Sequence, residues 1–86
     1  MKNNSYLSLG SNIGDRKNNL LNAVNAMKVY EKIDVNLISP VYETEPKYNL
    51  NQRFFYNIVV CISTDLIPQE LLKYMQGIET KIGRVI

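Results

Sequence analysis

An aromatic ring and a carboxamide stand two positions apart in the most strand-like part of the sequence. Phe55 and Asn57 lie within the aromatic and β-branched run from Phe54 to Ile62. Residues two apart on a strand point to the same face, so a flat heterocycle stacked on Phe55 would lie within reach of the Asn57 amide. A core role explains Phe55 as well, because aromatic residues of central strands are usually buried. A polar amide in such a run must find a partner, which leaves the two interpretations about even on the residues alone.

The elements that would position these residues follow from the spacing of apolar and turn residues. Asp15 is a candidate helix N-cap, and Pro68 occupies the favoured first position of a helix. The sequence predicts a strand at Tyr6–Leu9 closed by the turn residues Gly10–Asn12, a helix from Asp15 to about Glu31, a strand from Val35 to Val41 bent at Pro40, a central strand at Phe54–Ile62 and a helix from Pro68 to Ile82 that stops at Gly83. The residues expected to face the core from the helices are Leu20, Leu21, Val24, Met27 and Tyr30 on the first, and Leu71, Met75, Ile78 and Ile82 on the second.

The order strand, helix, strand, strand, helix predicts an α/β (α+β) ferredoxin-like unit, β-α-β-β-α, without its final strand. We expect residues 1–86 to form a single domain of this kind. In that topology the first two strands are parallel, the third lies between them, and both helices cover one face. The outer edge of the first strand then has no partner, and we expect it to promote dimerisation or aggregation.

Charge and cysteine content exclude several classes of function. The net charge of +2 comes from ten basic and eight acidic residues dispersed along 86 positions, so we expect neither a nucleic-acid nor a membrane partner. A single cysteine, Cys61, and the absence of histidine exclude the usual nitrogen and sulfur metal sites and suit the cytoplasm. The polar start of the chain predicts no signal peptide. The aspartates Asp15, Asp34 and Asp65 are not spaced as a pair for a hard cation, so no metal ligands are expected.

Four segments, in the same order and spacing, resemble successive blocks of one enzyme family. They are Tyr6–Asn12, Val41–Pro46, Phe54–Asn57 and the stretch from Ile78 to Arg84. Together they resemble the amino-terminal part of the hydroxymethyl-dihydropterin pyrophosphokinases. The resemblance implies a role in folate biosynthesis, by transfer of diphosphate from ATP to the hydroxymethyl group of a reduced pterin, with Mg²⁺ bridging the phosphates. Such transfer depends on placing two substrates and neutralising phosphate charge.

The resemblance also implies roles for particular residues. The pterin ring would stack on Phe55, and Asn57 would bind its amide edge. The loop at Thr44, Glu45 and Lys47 would line the other side of the pterin. On the second helix the implied ATP contacts are Leu72, Gln76 and Glu79, which share one helical stripe. Arg84 would take a catalytic role on the phosphate side.

The family's metal-binding Asp-x-Asp pair is not found in these residues, so we expect the 86-residue chain alone to be inactive. Two other interpretations stay open. Arg53–Tyr56 on the third strand is reminiscent of RNA-recognition domains, although the glycine-interleaved pattern is missing and the first strand offers only Tyr6. A non-catalytic ferredoxin-like module that binds RNA or protein is therefore the alternative function. The chain would otherwise be a truncated relative, or a fragment of a longer enzyme.

Overall fold

The computed structural model describes residues 2–47 and 51–82. In chain order these residues form the strand β1 (Asn3–Ser11), the helix α1 (Arg16–Val29), the strands β2 (Ile33–Ile38), β3 (Tyr42–Thr44) and β4 (Phe55–Thr64), and the helix α2 (Pro68–Ile82). Every element predicted from the sequence is present. The differences concern where elements begin and end, and one predicted strand that is divided in two.

The strand β4 is the centre of an antiparallel sheet. β1 pairs along one side of it, from Asn3 opposite Thr64 to Ser11 opposite Tyr56. β2 and β3 pair along the other side. Because β1 and β2 both run antiparallel to β4, they are parallel to each other with β4 between them. This confirms the predicted α+β arrangement, which is consistent with a ferredoxin-like fold.

The two faces of β4 have different environments. Ile58, Val60 and Ile62 are buried against the helices, whereas the alternate residues of the strand point to the other face, which we call the open face. The buried apolar residues are Leu9, Leu20, Ala23, Val24, Met27, Ile33, Ile58, Val60, Ile62, Leu71, Met75 and Ile78. They form one cluster between the sheet and both helices. Phe55 and Asn57 stand on the open face and therefore lie outside this core.

The predicted second strand is interrupted near Pro40. A bulge between Val35 and Leu37 shifts the register of β2, and β3 then resumes the pairing with β4. Between them Ser39 continues the contact, since its backbone N–H donates to the carbonyl of Val59 at 2.9 Å and its hydroxyl accepts from the N–H of Val59 at 2.8 Å. Proline has no N–H to donate, so the ladder stops there and restarts two residues later.

The turn before α1 begins later than the sequence suggests. Gly10 and Ser11 belong to β1, and the turn occupies residues 12–15, where Gly14 has φ +60°. A side chain is strained in that left-handed conformation, which favours glycine. Asp15 caps the helix as predicted, because its Oδ1 accepts from the N–H of Asn18 at 3.1 Å.

The helices differ in small ways from their predicted limits. α1 ends at Val29, and Leu21, predicted to face the core, is 55% exposed while Ala23 is buried instead. α2 begins at Pro68 as predicted, and Gly83, the predicted stop, lies outside the described residues. Neither helix is long and apolar enough to cross a membrane.

Candidate functional site

A cleft of about 630 Å³ lies where β3 pairs with the beginning of β4. We call it the β3–β4 cleft. Its lining residues are Thr44, Glu45, Pro46, Lys47, Gln52, Phe55 and Asn57. The five residues that the resemblance implies for pterin contact are thus brought together around one cavity. Their role in binding stays a prediction.

The carboxamide of Asn57 is oriented by hydrogen bonds to β3. Its Nδ2 donates to the hydroxyl oxygen of Thr44 at 2.9 Å and to the carbonyl of Tyr42 at 3.3 Å, with a longer bond of 3.4 Å to the carbonyl of Phe55. The polar partner that the sequence demanded is therefore supplied by the protein. These bonds also fix a direction, because they hold the nitrogen towards β3 and leave Oδ1 on the side of β1.

Both proposed pterin contacts lie against β1. Asn57 is directly opposite Gly10 in the β1–β4 register, and its Oδ1 fills the space into which a side chain at residue 10 would project. The ring of Phe55 also approaches this position. Gly10 of β1 therefore lies next to both residues, although no residue of β1 is among those that line the cleft.

The segment that leads into β4 is anchored to the beginning of α1. Nη1 of Arg53 donates to the carbonyl of Gly14 at 2.8 Å, and Nη1 of Arg16 donates to the carbonyl of Phe54 at the same distance. Both donors are charged, and hydrogen bonds from charged groups are stronger than those between neutral groups. They therefore fix the segment just before β4 against the beginning of α1 and the turn that precedes it. Phe55 follows this anchored segment directly, so its backbone position is fixed.

The family of the chain follows from a comparison with known proteins. Residues 6–86, nearly the whole chain, match the family model of 7,8-dihydro-6-hydroxymethylpterin-pyrophosphokinase (HPPK). The chain belongs to the HPPK family. The match confirms the resemblance seen in the four sequence segments.

Curated relatives agree with this assignment. The chain is 43% identical over 84 residues to the 2-amino-4-hydroxy-6-hydroxymethyldihydropteridine pyrophosphokinase of Bacillus subtilis, covering 98% of the chain and 50% of the relative. It is 42% identical over 79 residues to the enzyme of the same name from Aquifex aeolicus, covering 92% and 48%. The folic acid synthesis protein fol1 of Schizosaccharomyces pombe is 43% identical over 81 residues, covering 94% and 11%. The chain thus spans about half the length of these two bacterial relatives.

The residues implied for ATP lie elsewhere on the molecule. Leu72 lines a second cleft, of about 270 Å³, between β1 and α2, which we call the β1–α2 groove. Its lining residues are Tyr6, Leu7, Ser8, Leu9, Pro68, Leu71, Leu72 and Met75. Gln76 is exposed and Glu79 is half-buried on the same helix, and neither lines the groove or the β3–β4 cleft. The two clefts share no lining residue among those described, and Arg84 lies outside the described residues.

No group of three or more histidine, cysteine, aspartate or glutamate side chains in residues 2–47 and 51–82 is arranged to hold a metal ion. Hard cations such as Mg²⁺ require several converging oxygen ligands. The described side chains therefore do not fit the magnesium ions that the family resemblance implies.

Two groups in the described part of the chain have shifted pKa values, and both lie outside the β3–β4 cleft. A hydrogen bond to the carboxylate of Asp34 raises the pKa of Lys2, at the far end of the sheet. Burial, and then the charge of Tyr30, raise the pKa of Tyr74 on α2. Neither group can take part in binding at the cleft.

Three features of the site were not predicted from the sequence. Gln52 completes the cleft lining, Gly10 lies under the Asn57 amide, and Arg16 anchors the approach to β4. Gly10 belongs to one of the four recognised segments, but the sequence suggested only a tight turn there. Finding this contact would require the register in which β1 pairs with β4. That register is not readable from the sequence.

Proposed function

We propose that this chain supplies the pterin-binding part of an HPPK domain, which transfers diphosphate from ATP to the hydroxymethyl group of 6-hydroxymethyl-7,8-dihydropterin. One observation carries the proposal. The ring of Phe55 and the amide of Asn57 project from the same face of β4 into the β3–β4 cleft, outside the core. Membership of the HPPK family and the names of the relatives supply the substrate.

The geometry suits a flat heterocycle with hydrogen-bond donors along one edge. The aromatic face of Phe55 offers a stacking surface, and such pairs contribute about 0.5–1.5 kcal/mol beyond the area they bury. The Nδ2 of Asn57 is engaged by Thr44 and Tyr42, so its Oδ1 is the acceptor offered to the ligand. A pterin carries a ring N–H and an amino group side by side, which complement such an acceptor.

Calorimetric titration of the 86-residue chain with the dihydropterin tests the proposal. We expect Phe55→Ala and Asn57→Ala each to weaken binding by about tenfold or more, corresponding to ~1.4 kcal/mol. Val59→Ala is the matched control, because Val59 follows Asn57 on the open face but does not line the cleft. If the wild-type chain binds no pterin, or if all three variants bind equally well, the proposed site is wrong.

We further propose that Leu72, Gln76, Glu79 and Arg84 contribute to the ATP side. Support comes from the shared stripe on α2 and from Leu72 in the β1–α2 groove. The described residues do not fit a magnesium site. We therefore propose that the 86-residue chain binds pterin without turnover. An assay for AMP release with ATP, Mg²⁺ and the dihydropterin tests this. Release at an ordinary enzymatic rate would contradict it.

We also propose a cytoplasmic protein that does not bind nucleic acid. RNA-recognition sheets stack successive bases on neighbouring aromatics of adjacent strands. Here Tyr6 is opposite Cys61, six residues along β4 from Phe55, which corresponds to about 20 Å at strand geometry. The two aromatics are too far apart to hold adjacent bases. Binding of single-stranded RNA at moderate salt, without a response to pterin, would favour the rival function.

Self-association through β1 is the remaining proposal. All of β1 pairs with β4 on one side, and no strand of the described chain covers its other edge. Such an edge presents unpaired N–H and C=O groups to another strand. Sedimentation equilibrium over a wide concentration range should detect dimers or larger species, and a monomer at the highest concentration would exclude this association.

A further inference from the structure

Gly10 lies inside a strand, where glycine is an unfavourable choice. It weakens a strand interior relative to alanine, so such a position calls for a specific reason. One common reason is a left-handed backbone, but among the described glycines only Gly14 has a positive φ. Any residue could adopt the backbone of Gly10. The requirement for glycine is therefore one of space.

The space in question is occupied by the residues of the β3–β4 cleft. A Cβ placed on Gly10 would lie 2.7 Å from Oδ1 and 3.8 Å from Cγ of Asn57, and 3.5 Å from Cδ1 of Phe55. The first distance is far below normal contact between carbon and oxygen, whereas the last is ordinary packing. A side chain at residue 10 would therefore displace the Asn57 amide first and leave the Phe55 ring nearly untouched.

Displacing that amide would undo its other contacts. The carboxamide is planar, so a rotation that moves Oδ1 away from β1 also moves Nδ2 away from Thr44 and Tyr42. The acceptor offered to a ligand would then point in another direction.

We propose that Gly10 is a positioning residue for ligand recognition, because it reserves the volume in which the Asn57 carboxamide lies with Oδ1 beside β1. The inference rests on the proposed pterin site. Through Asn57, Gly10 would favour ligands that carry hydrogen-bond donors on the edge facing that amide. Stacking of the ligand on Phe55 would not depend on Gly10.

The test compares Gly10→Ala with Gly77→Ala in the 86-residue chain. Gly77 is the matched control, since a Cβ there would meet nothing within 4 Å. The readouts are the side-chain NH₂ signals of Asn57 in nitrogen–proton correlation spectra, identified by their loss in Asn57→Ala, and the affinity for the dihydropterin. Gly10→Ala should shift these signals and weaken binding about tenfold or more, while Gly77→Ala should do neither.

A double variant distinguishes positioning from a general structural role. In the Asn57→Ala background the clash is gone, so adding Gly10→Ala should cause no further loss of affinity or stability. If Gly10→Ala alone fails to fold, the double variant should fold, and failure of both overturns the inference. Unchanged Asn57 signals in Gly10→Ala, or an equal loss of affinity in both backgrounds, also overturn it. Should the wild-type chain bind no pterin, the proposed function fails, yet the Asn57 signals and the stability cycle still decide the role of Gly10.

Discussion

The guanidinium of Arg16 lies over the ring of Tyr56, with Cζ 3.9 Å from the ring centroid. The same group donates a hydrogen bond to the carbonyl of Phe54. Residues 54 and 56 flank Phe55, and Tyr56 packs against the core on the helix-covered face. One side chain at the beginning of α1 therefore contacts both neighbours of the proposed stacking residue, the backbone of Phe54 and the ring of Tyr56.

Replacing Arg16 should destabilise the fold at this junction. Arg16→Met removes a cation–π contact and a charged hydrogen bond, and we expect a loss of about 1–2 kcal/mol in the free energy of unfolding. Arg16→Lys keeps the charge but not the flat group, so it should restore only part of the loss. Urea denaturation followed by circular dichroism measures both.

Lys17→Met is the control for this prediction, because the neighbouring lysine is exposed and removing it deletes the same charge. It should change the free energy of unfolding by less than about 0.5 kcal/mol. Equal stability of Arg16→Met and Lys17→Met would show that the contact with Tyr56 contributes nothing.

The hydroxyl of Thr44 should matter for pterin affinity through Asn57. Thr44→Val keeps the shape of the side chain but removes the acceptor of the 2.9 Å bond from Nδ2. A net hydrogen bond is worth about 0.5–1.5 kcal/mol, so we expect the Kd for the dihydropterin to rise by roughly 2–12-fold. Thr44→Ser retains the hydroxyl and should bind close to the wild-type level. Calorimetric titration checks both, and equal affinities of the two variants would count against the role of this bond.

The central strand is predictable from its aromatic and β-branched run, and a spacing of two places Phe55 and Asn57 on one face. Which face is buried does not follow from the sequence, because residues 58–62 are apolar without alternation, and the structure buries Ile58, Val60 and Ile62. The capping role of Asp15 is equally local, since a side chain and a backbone N–H three residues on decide it. Pro40 likewise marks the irregular point of the second strand, where the sequence predicted a bend and the structure has an interruption between β2 and β3.

The parts that escaped prediction depend on how distant segments meet. Gly10 stands opposite Asn57 only because β1 and β4 pair in one particular register, and a shift of one residue would turn every side chain to the other face. The exposure of Leu21 has a similar origin. Four neighbouring residues of α1 are apolar and fit a stripe, namely Leu20, Leu21, Ala23 and Val24. The angle at which the helix packs on the sheet decides that Ala23 is buried and Leu21 is exposed.

The two faces of β4 should respond differently to the same substitution. Val60 is fully buried and Val59, next to it, is half-buried on the open face. Val60→Ala removes two buried methyl groups and leaves a cavity, so we expect a loss of about 2 kcal/mol. Val59→Ala should cost less than about half of that. Thermal and urea unfolding of both variants provide the measurement, and equal losses would contradict the assignment of faces.

Tyr74 should make stability depend on pH at the alkaline end. Its hydroxyl donates to the carbonyl of Ala26 at 3.0 Å, and its ring stacks on Tyr30 with centroids 4.1 Å apart. Burial, with a smaller effect of the charge of Tyr30, raises the pKa of Tyr74 above its ordinary value of 10.0. The folded state therefore keeps this proton more tightly than the unfolded state. The contribution is intact below the unfolded pKa and is lost as the pH rises through the folded pKa.

Unfolding experiments above and below pH 10 separate this contribution from others. Tyr74→Phe should lose about 0.5–1.5 kcal/mol at neutral pH, because the carbonyl of Ala26 loses its side-chain donor. It should also show a shallower fall of stability above about pH 10, since the proton that the wild type loses there is absent. Tyr6→Phe is the control at neutral pH, because Tyr6 is 76% exposed and loss of its hydroxyl should change the free energy of unfolding by less than about 0.5 kcal/mol. A wild-type slope equal to that of Tyr74→Phe would mean that the phenol at position 74 titrates alike in the folded and unfolded chain, contrary to its burial between the two helices.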